Sequence, residues 1–127
     1  MEAILDTGAL LAIADGAPRI LPAIRPVRTI RVPAGVLGEF RCAIHLSPNR
    51  DEYESWLGQI ATPDTFLAAD SETARRFAIL RREHHSRASA LTENDYWLVA
   101  LALQHGLTLV SQNRALDHVK GLQRLTW

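Results

Sequence analysis

Three carboxylates of this chain stand where apolar runs begin or end. Asp6 directly follows Ala3-Ile4-Leu5, Glu39 follows Val36-Leu37-Gly38, and Asp95 precedes Tyr96-Trp97-Leu98-Val99. A polar segment, Ser111-Gln112-Asn113, follows the run from Leu107 to Val110 in the same way. A carboxylate among such neighbours is partly desolvated, which is costly unless it is paired or bound to a metal. Three of them in one cleft repel, and a hard divalent cation is the common remedy. Mg²⁺ takes octahedral oxygen coordination, keeps several waters, and acidifies a water enough for attack on a phosphodiester. Each acid taken singly also has a structural reading. Asp6 could cap a helix, Glu39 could lie on an amphipathic surface, and Thr92-x-x-Asp95 approximates a capping box. No His/Cys spacing indicates zinc, and neither a serine–histidine–acid nor a cysteine–histidine arrangement finds support.

The elements that must position these residues alternate between strands and helices. Residues 3–5 read as a strand running into a helix that Asp15-Gly16 ends, with Asp6 at the junction. Pro18, Pro22 and Pro26 leave room only for short helical pieces. A second strand covers Thr29 to Val32, stopped by Pro33, and helices are expected over 34–46 and 50–60. Residues 65–68 give a brief strand. A helix capped by Asp70 or Ser71 then extends to about His84, with Ala74, Phe77, Ala78 and Leu80 turned inward. Thr92 caps the next helix, Glu93 to His105, which Gly106 ends. A buried-type strand over 107–111, a short helix and a strand over 123–127 complete the chain. This alternation predicts a single α/β domain with a mainly parallel sheet. In such sheets ligands bind beyond the carboxyl ends of the strands, where Asp6 and Ser111 to Asn113 are expected.

Bulk composition fits that class. The chain has 127 residues, 47% hydrophobic and 22% charged, with a net charge of zero, which suits one globular domain. Neutrality argues against a general nucleic-acid coat but permits a local basic site. Its one cysteine, Cys42, excludes an internal disulfide and is expected to be a buried, inert thiol. The N-terminus lacks the features of a signal peptide, and no run approaches the roughly 20 apolar residues of a membrane span. A cytoplasmic protein without membrane contact is the expectation.

Four segments together carry a family likeness. Ile4-Leu5-Asp6-Thr7-Gly8-Ala9-Leu10-Leu11 resembles the opening motif of PIN-domain nucleases, and Val32-Pro33-Ala34-Gly35-Val36-Leu37-Gly38-Glu39 their second. Asn94-Asp95-Tyr96-Trp97-Leu98-Val99-Ala100-Leu101-Ala102 resembles the third. The segment from His105 to Asn113 resembles the last strand and its polar end, with Gly121-Leu122 and Trp127 also in place. The order and spacing match across residues 1–127. The resemblance implies a three-layer α/β/α sandwich and RNA cleavage with Mg²⁺ or Mn²⁺. At this size it also implies the toxin half of a VapC-type toxin–antitoxin pair. Asp6, Glu39 and Asp95 would then be the metal-site acids, Thr7 and Ser111 polar supports, and Asn113 a fourth catalytic position. Many relatives carry an aspartate where this chain has Asn113. An amide can orient a metal-bound water but supplies no charge, and Asp117, four residues on, is the alternative fourth acid or else a solvated helix position. A catalytically weak PIN-fold module that binds RNA or protein is the competing reading.

Partners follow from the same likeness: an RNA substrate, a cognate antitoxin and a second copy of the chain in a homodimer. Arg75, Arg76, Arg81, Arg82 and Arg87 form a candidate RNA groove, since phosphate contacts supply most sequence-independent affinity. An ordinary solvated helix has the same look, and Glu72 and Glu83 dilute the charge. His84-His85 is expected to be solvent-exposed, and Tyr53 and Trp56 to pack a core or an interface.

Overall fold

The computed structural model describes residues 1–84 and 91–127. Five strands form one sheet: β1 (Glu2–Leu5), β2 (Thr29–Pro33), β3 (Phe66–Leu67), β4 (Thr108–Val110) and β5 (Arg124–Leu125). Their order across the sheet is β3-β2-β1-β4-β5, and every neighbouring pair is parallel. The chain therefore steps outward from β1 to one edge, then returns and steps to the other. Because crossovers between parallel strands are right-handed, this reversal places helices on both faces and makes three layers. Ala3, Ile4 and Leu5 of the central strand are fully buried, which is why that strand reads as an uninterrupted apolar run.

The helices are α1 (Thr7–Ala14), α2 (Ile20–Ala23), α3 (Ala34–Ile44), α4 (Arg50–Ile60), α5 (Ser71–His84) and α6 (Glu93–His105), with a 3₁₀ helix at Arg114–His118. Their inward faces follow helical spacing. On α3, Val36, Phe40 and Ile44 are buried, four residues apart each time. Leu57 is buried on α4, while Tyr53 and Trp56 pack their rings about 6 Å from that of Phe40. Large apolar side chains of this kind each stabilise the fold by roughly 1.5–3 kcal/mol. Gly106 adopts φ 63° at the end of α6, the left-handed turn that glycine enters without a Cβ penalty.

Two expectations about side chains fail. Cys42 is exposed: it lies two residues from Phe40, about 200° round the helix from the buried stripe. On α5 the buried residues are Thr73 and Leu80, whereas Ala74 and Ala78 face solvent. The inward stripe there runs one position earlier than the alanines suggest. Thr73 is tolerated inside because its hydroxyl is fully engaged. It meets the Asp70 carboxylate at 3.1 Å and the Gln104 side chain, and Gln104 Nε2 donates to Asp70 at 2.9 Å. This knot ties the start of α5 to the end of α6. Several strands are shorter than their apolar runs, because the pairing ladder stops before the hydrophobic pattern does.

Candidate active site

Asp6 sits where β1 ends and α1 begins. Its backbone is extended (φ −81°, ψ 175°), and its Oδ1 accepts from the Ala9 N–H at 2.7 Å, which satisfies one of the orphan donors at the helix start. Its own N–H donates to the Val110 carbonyl at 3.2 Å, joining it to the end of β4. Ser111, fully buried, lies beside the Asp6 carboxylate, whose charged form its hydroxyl favours. Burial pushes the Asp6 carboxyl above the ordinary aspartate range; the bonds from Ser111 and Ala9 pull it back, and the negative charges of Asp95 and Glu39 push it further up. The structure thus brings Glu39 and Asp95 within electrostatic reach of Asp6, at the carboxyl end of the central strand where the strand order reverses.

Each of the other two acids is held by a separate element. Glu39 lies in the second turn of α3, and the Thr7 hydroxyl donates to its Oε1 at 3.1 Å. Asp95 is the N3 residue of a complete capping box on α6. Its Oδ2 accepts from the Thr92 N–H at 2.8 Å, and its own N–H donates to Thr92 Oγ1 at 3.2 Å. The structural and chemical readings of Asp6 and Asp95 therefore coexist. A cap fixes one oxygen of each carboxylate and so orients the group. Gly8 leaves space beside the cluster, since a Cβ there would stand 3.5 Å from Asp6 Oδ1.

Among the described residues, no three His, Cys, Asp or Glu side chains form a group that could hold a metal by themselves. The donor set is all oxygen and hard, and Asp6 feels the charge of the other two without the three closing into a cage. Mg²⁺ fits that arrangement, because it binds through one or two carboxylates and retains several waters.

Asn113 has a local occupation. Its Oδ1 accepts from the Ala115 N–H at 3.1 Å to cap the 3₁₀ helix, and its backbone N–H donates to Ser111 Oγ at 3.1 Å. Asp117 is exposed and paired through both oxygens with Arg124, at 2.8 and 2.9 Å, and that guanidinium holds its carboxyl below the usual range. Arg124 also donates to the Ser111 carbonyl at 3.0 Å. No sequence motif marked Arg124; its role depends on the β4–β5 register, which a two-residue strand does not announce.

The arginines of α5 are largely engaged within the chain. Arg75 and Arg76 both meet Glu72, at 2.7 and 3.0 Å, and these contacts pull the Glu72 carboxyl down to about 2. Arg81 meets Glu93 at 3.0 Å and lies over the Tyr96 ring. Arg87 and His85 fall outside the described residues. Beside Glu39 runs a groove of about 270 Å³ lined mostly by apolar groups, among them Pro33, Phe66, Trp97 and Leu101, with Asn94 at its side. Phe66 and Trp97 are 41% and 37% exposed, and Trp97 stacks on Phe77 at 4.2 Å. No helix among the described residues is long and apolar enough to cross a membrane.

Comparison with known proteins gives a family and a set of similar folds. The family profile for the PIN domain matches residues 3–122. No curated protein matches the chain. Among solved structures, VapBC2 from Rickettsia felis bound to a promoter DNA fragment is similar at a TM-score of 0.83. The identity is 19%, and the match covers 100% of this chain and 99% of that one. DNA-bound VapBC from Salmonella typhimurium matches at 0.83 and 17% identity, over 100% and 98% of the two chains. VapBC-5 from Mycobacterium tuberculosis, a member of the VapBC family of toxin–antitoxin systems, matches at 0.75 and 23% identity, over 99% and 98%. At these identities the likeness is one of fold.

Proposed function

The chain belongs to the PIN-domain family, and on that premise we propose that it is a Mg²⁺-dependent endoribonuclease acting as the toxin of a toxin–antitoxin pair. PIN domains are generally nucleases and usually use divalent metal ions. The observation that carries the reading is Asp6 at the switch point of a parallel sheet, with the charges of Glu39 and Asp95 acting on it. In this reading those three acids would form the Mg²⁺ site, one or two as direct ligands and the rest through the waters the ion retains, with Mn²⁺ an acceptable substitute. The ion, when bound, supplies an acidified water and stabilises charge that develops on the phosphodiester. The chain's own residues do the positioning: Thr7 steadies Glu39, Ser111 steadies Asp6, and the Thr92 cap steadies Asp95.

The partner assignments belong to the same proposal. The similar folds named above come from toxin–antitoxin complexes, which supports a cognate antitoxin for this chain. Exposed Phe66 and Trp97 beside Glu39 offer apolar surface for a protein partner, either the antitoxin or the second subunit of a homodimer. An RNA substrate assigns the protein to the cytoplasm.

A second reading, a catalytically weak PIN-fold module that binds RNA or protein, is favoured by one observation. The fourth position is a neutral Asn113 whose oxygen is already committed to a cap. Incubating purified protein with structured RNA in Mg²⁺, in Mn²⁺ and in excess EDTA separates the two. Cleavage that needs the metal and vanishes in Asp6→Asn, with the fold intact by circular dichroism, supports the nuclease. Undiminished cleavage in EDTA sinks the metal mechanism, and no cleavage under any condition selects the binding module.

A further inference from the structure

We propose that Arg124 is a positioning residue for the acidic cleft, pinning the Ser111 backbone so that the turn after β4 and the Ser111 hydroxyl stay in place beside Asp6. The inference rests on the metal-site reading above and adds a residue to it. Ser111 is fully buried and lies one residue past the end of β4. Its N–H donates to the Leu125 carbonyl at 3.0 Å, so β5 holds one side of this residue. The other side, its carbonyl, accepts from Arg124 Nη1 at 3.0 Å. With both backbone groups fixed, the hydroxyl accepts from the Asn113 N–H at 3.1 Å, and the preceding residue, Val110, accepts from the Asp6 N–H at 3.2 Å, so the Ser111 hydroxyl is kept beside the Asp6 carboxylate, whose charged form it favours.

Arg124 is itself immobilised. Its side chain is only 12% exposed, and Asp117 grips it through both carboxylate oxygens. A guanidinium is a rigid fork of donors and serves a bidentate carboxylate and a third acceptor at once, which an ammonium cannot do with the same geometry. The acid four residues beyond Asn113 is thereby directed away from metal binding and toward holding this clamp. An ion pair half exposed at Asp117 adds little stability alone; its consequence lies in the orientation it gives Arg124, and through Ser111, to Asp6.

The test measures Mn²⁺ binding to RNA-free protein, by the electron paramagnetic resonance signal of free Mn²⁺, alongside thermal unfolding. Loss of a group that orients a metal ligand typically weakens metal affinity by about 10–100-fold. Arg124→Gln is expected to weaken Mn²⁺ binding by about 10-fold, and Ser111→Ala by a similar factor. Because Arg124 acts through Ser111, the double variant is expected to be no weaker than Ser111→Ala alone. Multiplied losses in the double variant would show independent action and overturn the proposal, as would Arg124→Gln binding Mn²⁺ like the wild type. Should Arg124→Gln fail to fold, Arg124→Lys carries the same test. It keeps the charge for Asp117 but loses the fork, so at least about 3-fold weakening is expected, and wild-type affinity in that variant overturns the idea. Failure of the wild type to bind Mn²⁺ at all would strike the metal-site reading itself, a result distinct from an unaffected variant.

Discussion

Replacing Asp6 by asparagine removes a charge and changes little else, so its effect on stability isolates the electrostatics of the cleft. Asparagine also caps helices, which leaves an acceptor for the Ala9 N–H now bonded at 2.7 Å. In the wild type, burial raises the Asp6 pKa first, Asp95 and Glu39 add to the rise, and the bonds from Ser111 and Ala9 oppose it without reversing it. A raised native pKa means that the folded state holds the proton more tightly than the unfolded chain. The associated stability is full below the unfolded pKa, about 4, and is lost as pH rises through the native value. At neutral pH the metal-free wild type therefore carries an unfavourable charge that Asp6→Asn lacks. Relief of such a charge is worth about 0.5–2 kcal/mol, and the opposing hydrogen bonds place this case near the lower end, about 0.5–1 kcal/mol. That corresponds to a Tm higher by about 2–5 °C for a domain of this size. Thermal unfolding in EDTA at pH 7 reads the difference, which should close as the pH approaches 4. Adding Mn²⁺ should then reverse the order. A ligand at 100 times its Kd stabilises the fold by about 2.7 kcal/mol, and only the wild type keeps the full site. A variant less stable than the wild type in EDTA, or a gap that does not narrow with acidification, would refute the reasoning.

Two further outcomes are expected. Asn113→Asp should lower the Mg²⁺ concentration needed for half-maximal cleavage, because an aspartate preserves the cap on Ala115 and adds charge near Ser111; a Mg²⁺ titration of wild type, Asn113→Asp and Asp117→Asn checks it. Asp117→Asn keeps only one of the two acceptors for Arg124, so it should raise that requirement by no more than Arg124→Gln does, and a rise beyond that of Arg124→Gln would make Asp117 the fourth acid. Thr92→Ala should cost about 1 kcal/mol through loss of the α6 cap, while Thr92→Ser stays near wild type; equal stability of Ala and Ser variants in urea unfolding would show that the capping box contributes nothing.

Much of this architecture was legible because the helix signals were local. Thr92 before Glu93, Gly106 after His105 and the prolines around α2 delimit helices by short-range chemistry, and α4, α5 and α6 begin and end where that chemistry puts them. The acids could be picked out from their apolar flanks, since a carboxylate beside a buried run must be explained. What stayed hidden depends on contacts between distant segments. The exposure of Cys42 follows from which stripe of α3 meets the sheet, a choice that apolar neighbours in sequence do not reveal. The burial of Thr73 needs Gln104, thirty-one residues away, and the clamp by Arg124 needs the register of two short strands. The arginine-rich stretch on α5 allowed both a phosphate groove and a solvated helix; Glu72 was already in view beside it, whereas the pairing of Arg81 with Glu93 on α6 was not.

The strand order has a consequence for when the acidic cleft is complete. Asp6 stands just past the first strand, Glu39 on the helix after β2 and Asp95 far later on α6, and Ser111 is held in place by β5, near residue 125. Synthesis from the N-terminus delivers these parts in sequence, and contacts between remote segments are slow to form. A chain still emerging from the ribosome can complete the β1–β2 pair while its carboxylates remain scattered. Only when almost all 127 residues are free can the sheet close at β4 and β5. On the nuclease reading proposed above, the acids meet only after the last strand has docked, so cleavage would begin only when synthesis is nearly over.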